Sequence, residues 1–161
     1  MQKYFECKLR YDKQITDPED KDCGKIKTVN ETYLTEALSY TEAEARIAME
    51  LGKFIQGEYD ITGIKRVRYA ELFYKDEDLV ENWYACKMKI TVLDESRGME
   101  RKVNQTVLVR AGGVDDAFNR LNEGMKGTMS DYEIYSIALS PVLDFFKYEP
   151  SGNNNDKTGE E

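Results

Sequence analysis

Two short segments carry the residues best suited to chemistry. Tyr4, Lys8 and Arg10 recur in type and spacing as Trp83, Lys87 and Lys89, one aromatic ring followed by two cations. Residues two apart share a face of a β-strand, so each trio presents one ring and two positive charges on the same side. Sheets of this kind suit single-stranded nucleic acid, whose bases stack on rings while its phosphates meet ammonium and guanidinium groups. Lys25 and Lys27 lie on the neighbouring strand of the first segment, Arg101 and Lys102 on that of the second. A further basic run, Lys65-Arg66-Val67-Arg68-Tyr69, sits in a later strand. Tyr4 and Trp83 have a second reading, as rings that cover the seam where two copies of a unit meet, and the lysines have one as ordinary half-exposed strand residues.

Catalytic chemistry finds less to work with. The chain contains no histidine, which removes every mechanism that needs an imidazole as acid, base or metal ligand. No phosphate-binding Gly-Lys loop, dinucleotide fingerprint or paired-cysteine metal knuckle is present, so no metal or cofactor is expected. Glu6-x-Lys8 imitates part of a magnesium nuclease core, but Ala85 stands at the matching place and no upstream aspartate completes the set. The favoured reading is an exposed pair of opposite charges on a strand. Cys7 and Cys86 match each other on an inward face, where a thiol acts as a small hydrophobe, with a disulfide or redox role as the alternatives. Cys23 lies in an acidic loop whose field disfavours a reactive thiolate.

The elements that position these residues are set by an internal repeat. Val29–Ala37 aligns with Val103–Ala111, five of the nine residues being identical. Tyr4–Leu9 aligns with Trp83–Met88, Tyr59–Ile64 with Tyr132–Ile137, and Leu72-Phe73 with Phe145-Phe146. Each copy reads strand, strand, helix, strand. In the first strands Phe5, Cys7, Leu9 and Tyr11, and then Tyr84, Cys86, Met88, Ile90 and Val92, alternate inward. Second strands are expected near 25–36 and 99–110, and closing strands near 58–74 and 131–147. Pro141 argues for a break or an edge in the last. Thr41-Glu42-Ala43-Glu44 reads as a capping box opening the first helix, with Ala43, Ile47 and Leu51 as its stripe. In the second copy Asp115 takes the cap position, and Ala117, Leu121 and Met125 repeat the stripe.

The expected fold class is therefore α+β: a tandem duplication of a β-β-α-β unit forming one pseudo-two-fold domain, with an antiparallel sheet and helices on one face. Its parts would be repeats at 3–74 and 83–148, an acidic linker at 75–82 and a disordered tail at 149–161 that holds no core-forming residue. A chain of 161 residues can bury a core without metals or disulfides. An odd number of cysteines, and an N-terminus without an apolar stretch, point to a cytoplasmic protein with free thiols. The two Asn-x-Thr sequons, at Asn30 and Asn104, are then accidental as glycosylation sites. With 31 acidic against 23 basic residues the formal charge is −8, which argues against a duplex-DNA binder relying on net positive charge. Nearly half of the acids, 15 of the 31, fall in the 17–22 loop, the first helix, the linker and the tail, which sets that part of the charge apart from the basic strands.

The blocks Glu31-Thr32-Tyr33-Leu34, Ala37 to Arg46, Trp83 to Lys87 and Gly124 to Tyr132 resemble an uncharacterised domain family of gut anaerobic bacteria, their mobile elements and tailed phages. The resemblance spans about residues 3–146. It implies a phage or mobile-element setting and supplies no activity or catalytic residue. The function expected on these grounds is non-enzymatic binding of single-stranded nucleic acid, in replication or recombination. The alternatives are a protein-interaction module, such as an adaptor or an inhibitor of a host defence complex, and a nucleotide-sequestering protein.

Overall fold

A computed structural model describes residues 3–55, 57–75 and 82–148. Its elements run β1 (Lys3–Gln14), β2 (Ile26–Ala37), α1 (Tyr40–Leu51), β3 (Tyr59–Val67) and β4 (Glu71–Phe73). The same series then recurs as β5 (Asn82–Asp94), β6 (Met99–Ala111), α2 (Val114–Gly124), β7 (Tyr132–Ser140) and β8 (Val142–Phe146). Residues 76–81, most of the expected linker, and the tail from 149 onward lie outside the described residues.

The strand alternation holds. Phe5, Cys7 and Leu9 on β1, and Tyr84, Cys86, Met88 and Ile90 on β5, are buried, while Lys8, Arg10 and Lys87 are exposed. The two hairpins also share a register: Cys7 faces Tyr33 and Leu9 faces Glu31, as Cys86 faces Val107 and Met88 faces Gln105. Each closing strand is broken in two, and the second break falls at Pro141, which offers no N–H to continue a ladder.

The sheet arrangement departs from the single antiparallel sheet expected. There are two four-stranded sheets in one α+β domain, ordered β3-β1-β2-β8 and β4-β6-β5-β7. At each break the chain leaves one sheet and enters the other. β8 pairs in parallel with β2, Leu34 opposite Phe145, and β4 pairs in parallel with β6, Leu72 opposite Leu108. The parallel pairings join strands distant in sequence, which local periodicity does not report.

Three apolar cores result. α1 seals Phe5, Cys7, Leu9, Ala37, Ala43, Ile47 and Leu51 against the first sheet, and Phe146 from β8 joins them. α2 seals Tyr84, Cys86, Met88, Val107, Val109, Ala117 and Leu121 against the second, joined by Phe73 from β4. The third core lies between the helix-free faces of the two sheets and is built on Leu34, Trp83, Leu108 and Val142. A pair of β-sheets burying facing side chains in this way gains the area term of the hydrophobic effect, about 25 cal/mol per Å² of apolar surface.

The helix starts differ from expectation. Ser39, not Thr41, caps α1, its Oγ accepting from the backbone N–H of Glu42 at 3.2 Å. α2 is preceded by Gly113 with no side-chain cap, and Asp116 rather than Asp115 accepts a backbone N–H, that of Gly112, at 2.9 Å. The α2 C-terminus contains a tight contact. A Cβ on Gly124 would lie 2.9 Å from the ring of Phe73, so the ring of the exchanged strand rests directly on the glycine. Gly124→Ala is expected to displace Phe73 and cost about 1–3 kcal/mol, read as a lowered thermal midpoint; an unchanged midpoint would show that β4 does not depend on this contact.

Candidate nucleic-acid interface

β1 and β5 are interior strands, and one face of each is covered by a helix. The opposite faces carry the candidate residues, and these divide into a buried end and an open end. At the buried end stand the two rings. Trp83 is only 1% exposed, set among Tyr74 at 5.8 Å and Phe145 at 6.4 Å between ring centroids, with the Arg110 guanidinium 5.8 Å over its own ring. Tyr4 is half-buried, 6.3 Å from Tyr69 and 6.1 Å from Phe145. Trp83 is thus no stacking platform: the two sheets meet at this end, and the rings fill the gap between them. Burial, and then the Glu36 carboxylate, push the Tyr4 phenol above its ordinary range.

Glu6 marks the edge of the seam. Its Oε1 accepts the Tyr69 hydroxyl at 3.0 Å, and Lys65 stands opposite it on β3. Burial and then the charge of Glu6 drive the Tyr69 phenol upward, which keeps it a proton donor. Glu6 is therefore tied across the strands to Tyr69 and is not paired with Lys8.

Past this edge the faces open. Lys8 is exposed between Thr32 and Gly63, and Lys87 is exposed between Thr106 and Ser136. Neither has an acid directly opposite on either neighbouring strand. Arg10 lies between Asn30 and Asp60, and Lys89 between Asn104 and Glu133. Among the described residues Lys8, Arg10 and Lys87 make no ion pair. The two faces thus present the same set at matching register positions: a lysine without a facing acid, a second cation and an exposed asparagine.

The second face carries more. A register shift between Lys87 and Met88 leaves Tyr135 unpaired in β7, and bulges of this kind re-aim a side chain. Lys89 Nζ lies 4.6 Å over the Tyr135 ring, whose hydroxyl donates to Glu133 Oε2 at 3.0 Å. Lys102 reaches the other oxygen of Glu133 at 3.3 Å. These two hydrogen bonds, Tyr135 first, hold the Glu133 carboxyl below its usual range. The matching shift between Lys8 and Leu9 leaves Thr62 unpaired, with a hydroxyl but no ring. A recess of about 380 Å³ is lined by Lys87, Lys89, Asn104 and Tyr135.

The other sequence candidates are not gathered here. Lys27 faces Lys13, Arg66 faces Phe5 and Arg101 faces Val92, which places all three on the helix-bearing sides. Lys25 is in the hairpin loop, bound to Asp22 at 3.1 Å, and Arg68 lies between β3 and β4. Three members of the faces escaped the sequence reading: Asn30, Asn104 and Tyr135. The asparagines were visible only as twin sequons, and nothing in the sequence announces the bulge that turns Tyr135 outward.

A family model described as a domain of unknown function, DUF4494, matches residues 3–148. The chain belongs to the DUF4494 family. No curated protein and no solved structure matches it. Among the described residues of this DUF4494 chain, no helix is long and apolar enough to cross a membrane.

The cysteines take no part in the faces. Burial pushes the Cys7 thiol up to about 12 and the Cys86 thiol up to about 11, while Cys23 is exposed. Titration of the native DUF4494 chain with a thiol reagent near neutral pH should therefore modify Cys23 alone, with Cys7 and Cys86 reacting only on unfolding. Fast native labelling of either would contradict their place in the cores. Trp83→Ala is expected to cost about 3–5 kcal/mol of stability, as for other buried aromatic deletions. A variant of undiminished stability that lost only ligand binding would return Trp83 to a binding role.

Proposed function

We propose that this protein binds single-stranded nucleic acid without catalysing a reaction, through the two open strand faces. Lys8, Arg10 and Asn30 form one patch; Lys87, Lys89, Asn104 and Tyr135 form the other. The observation that carries the reading is the pair Lys8 and Lys87: matching register positions on interior strands, exposed, with no acid opposite, in a chain of net charge −8. Cations left unmatched in an acidic protein suit an anionic partner. The asparagine amides can both donate to and accept from base edges, and the exposed Tyr135 ring can take one base. Bases are available to such groups only where they are unstacked, which favours a single strand over a duplex.

The same reading places the protein in the cytoplasm, in the replication or recombination of a phage or mobile element; the resemblance of its sequence blocks to a family of that setting supports this. It also takes the chain to be a tandem duplication. The four aligned sequence blocks, the twice-repeated element order and the shared hairpin register support that origin.

Fluorescence anisotropy with labelled single-stranded oligonucleotides, across a series of salt concentrations, tests the proposal. Each cation that neutralises a phosphate of a single strand contributes about −0.7 to the slope of log affinity on log salt. The Lys8→Ala, Lys87→Ala double variant should therefore flatten the slope by about 0.7 if a strand engages one face, and by about 1.4 if it engages both. Absence of binding by the unaltered chain at low salt, or equal affinity for duplex, would reject the proposal.

A further inference from the structure

On the helix-bearing side of the first sheet, past the end of α1, a groove of about 660 Å³ opens between the chain following that helix and the β7–β8 corner. Its volume falls in the range of small-molecule sites. Inside it three polar groups are joined: the hydroxyls of Tyr11 and Tyr33 donate to the two oxygens of Glu31, at 2.8 and 2.7 Å. Burial, and then the bond to Glu31, push both phenols up, Tyr11 to about 12, so both stay protonated donors to a carboxylate. Aromatic rings form part of the walls. Phe146 stacks on Tyr33 at 5.8 Å with planes 17° apart, and Phe54 projects into solvent, 75% exposed.

The second sheet shows that the fold does not require this arrangement. At the matching register positions it has Ile90, Gln105 and Val107 in place of Tyr11, Glu31 and Tyr33, and Ile90 and Val107 are core residues. The two tyrosine hydroxyls compensate the half-buried carboxylate but take only one acceptor site on each of its oxygens, which leaves Glu31 able to accept from a donor in the groove, a capacity the second sheet does not build. Asp144 also lines the groove; Arg110, the one cation among the described residues of its walls, lies over the Trp83 ring.

The geometry points to a binding site for a small organic cation, an ammonium or guanidinium group on an apolar stem. The cation meets the Glu31 carboxylate between two tyrosine rings, and the stem lies against Phe54 and Phe146. Charge-assisted hydrogen bonds and cation–π attraction act together on such a group. The site lies on the opposite side of the first sheet from Lys8 and Arg10, and its occupancy is independent of nucleic-acid binding.

Isothermal titration of the full chain with phenethylamine, phenethyl alcohol and phenylacetate tests the site, since the three share a stem and differ in charge. The amine should bind saturably, the alcohol about tenfold or more weakly and the acid not at all, tenfold corresponding to about 1.4 kcal/mol. Glu31→Gln should bring the amine down to the affinity of the alcohol and leave the alcohol unchanged. Gln105 at the matching position shows that this side chain suits the fold. Phe54→Ser, at an exposed position, should weaken amine and alcohol together. Equal binding of all three compounds, unchanged amine affinity in Glu31→Gln, or no amine binding at millimolar concentration would each overturn the assignment.

Discussion

Phe73 and Phe146 each complete a core that the other half of the chain builds, and the rest of the structure depends on that exchange. β4 carries Phe73 onto α2, and β8 carries Phe146 onto Tyr33 and the α1 core. Neither half can close its own apolar face without the last strand of the other. The exchange also draws the helix-free faces together at one end, because each crossing segment runs from the edge of one sheet to the edge of the other. Leu72 and Phe145, the residues beside the exchanged phenylalanines, help fill the gap this creates.

The division of each strand face into a seam and an open patch follows from the same constraint. Residues near the start of β1 and β5 face the opposing sheet and are apolar or aromatic; residues further along face solvent and are cationic or polar. Trp83 belongs to the first group and Lys87, four residues later on the same face, to the second. Ring and cation, which the sequence places together as one motif, thus have separate roles. The ring of the open patch is instead Tyr135, supplied by a neighbouring strand through a bulge.

Legibility in the sequence tracked the range of the interaction. Strand alternation, the helix stripes at Ala43, Ile47, Leu51 and at Ala117, Leu121, Met125, and the break at Pro141 are local patterns, and all stand in the structure. Caps were displaced by a residue or more because Ser39 and Thr41 are both competent acceptors and only the chain geometry chooses between them. The exchange of β4 and β8 is set by contacts between distant segments, and a period of two does not encode the strand's partner. The same holds for the site. Lys8, Arg10, Lys87 and Lys89 were legible from spacing, whereas the burial of Trp83 depends on a second sheet that no local pattern reports.

Native-state hydrogen exchange on the Phe146→Ala chain tests the dependence of the two halves most directly. Among the described residues Phe146 packs with the first helix-bearing core and not with the other two, so a structure of separable halves would lose amide protection in β1 and β2 alone. The exchange of strands predicts that the most protected amides of β1, β2, β5 and β6 all open at one lowered free energy, as a single cooperative unit. Retention of full protection in β5 and β6, with loss confined to the first sheet, would contradict it.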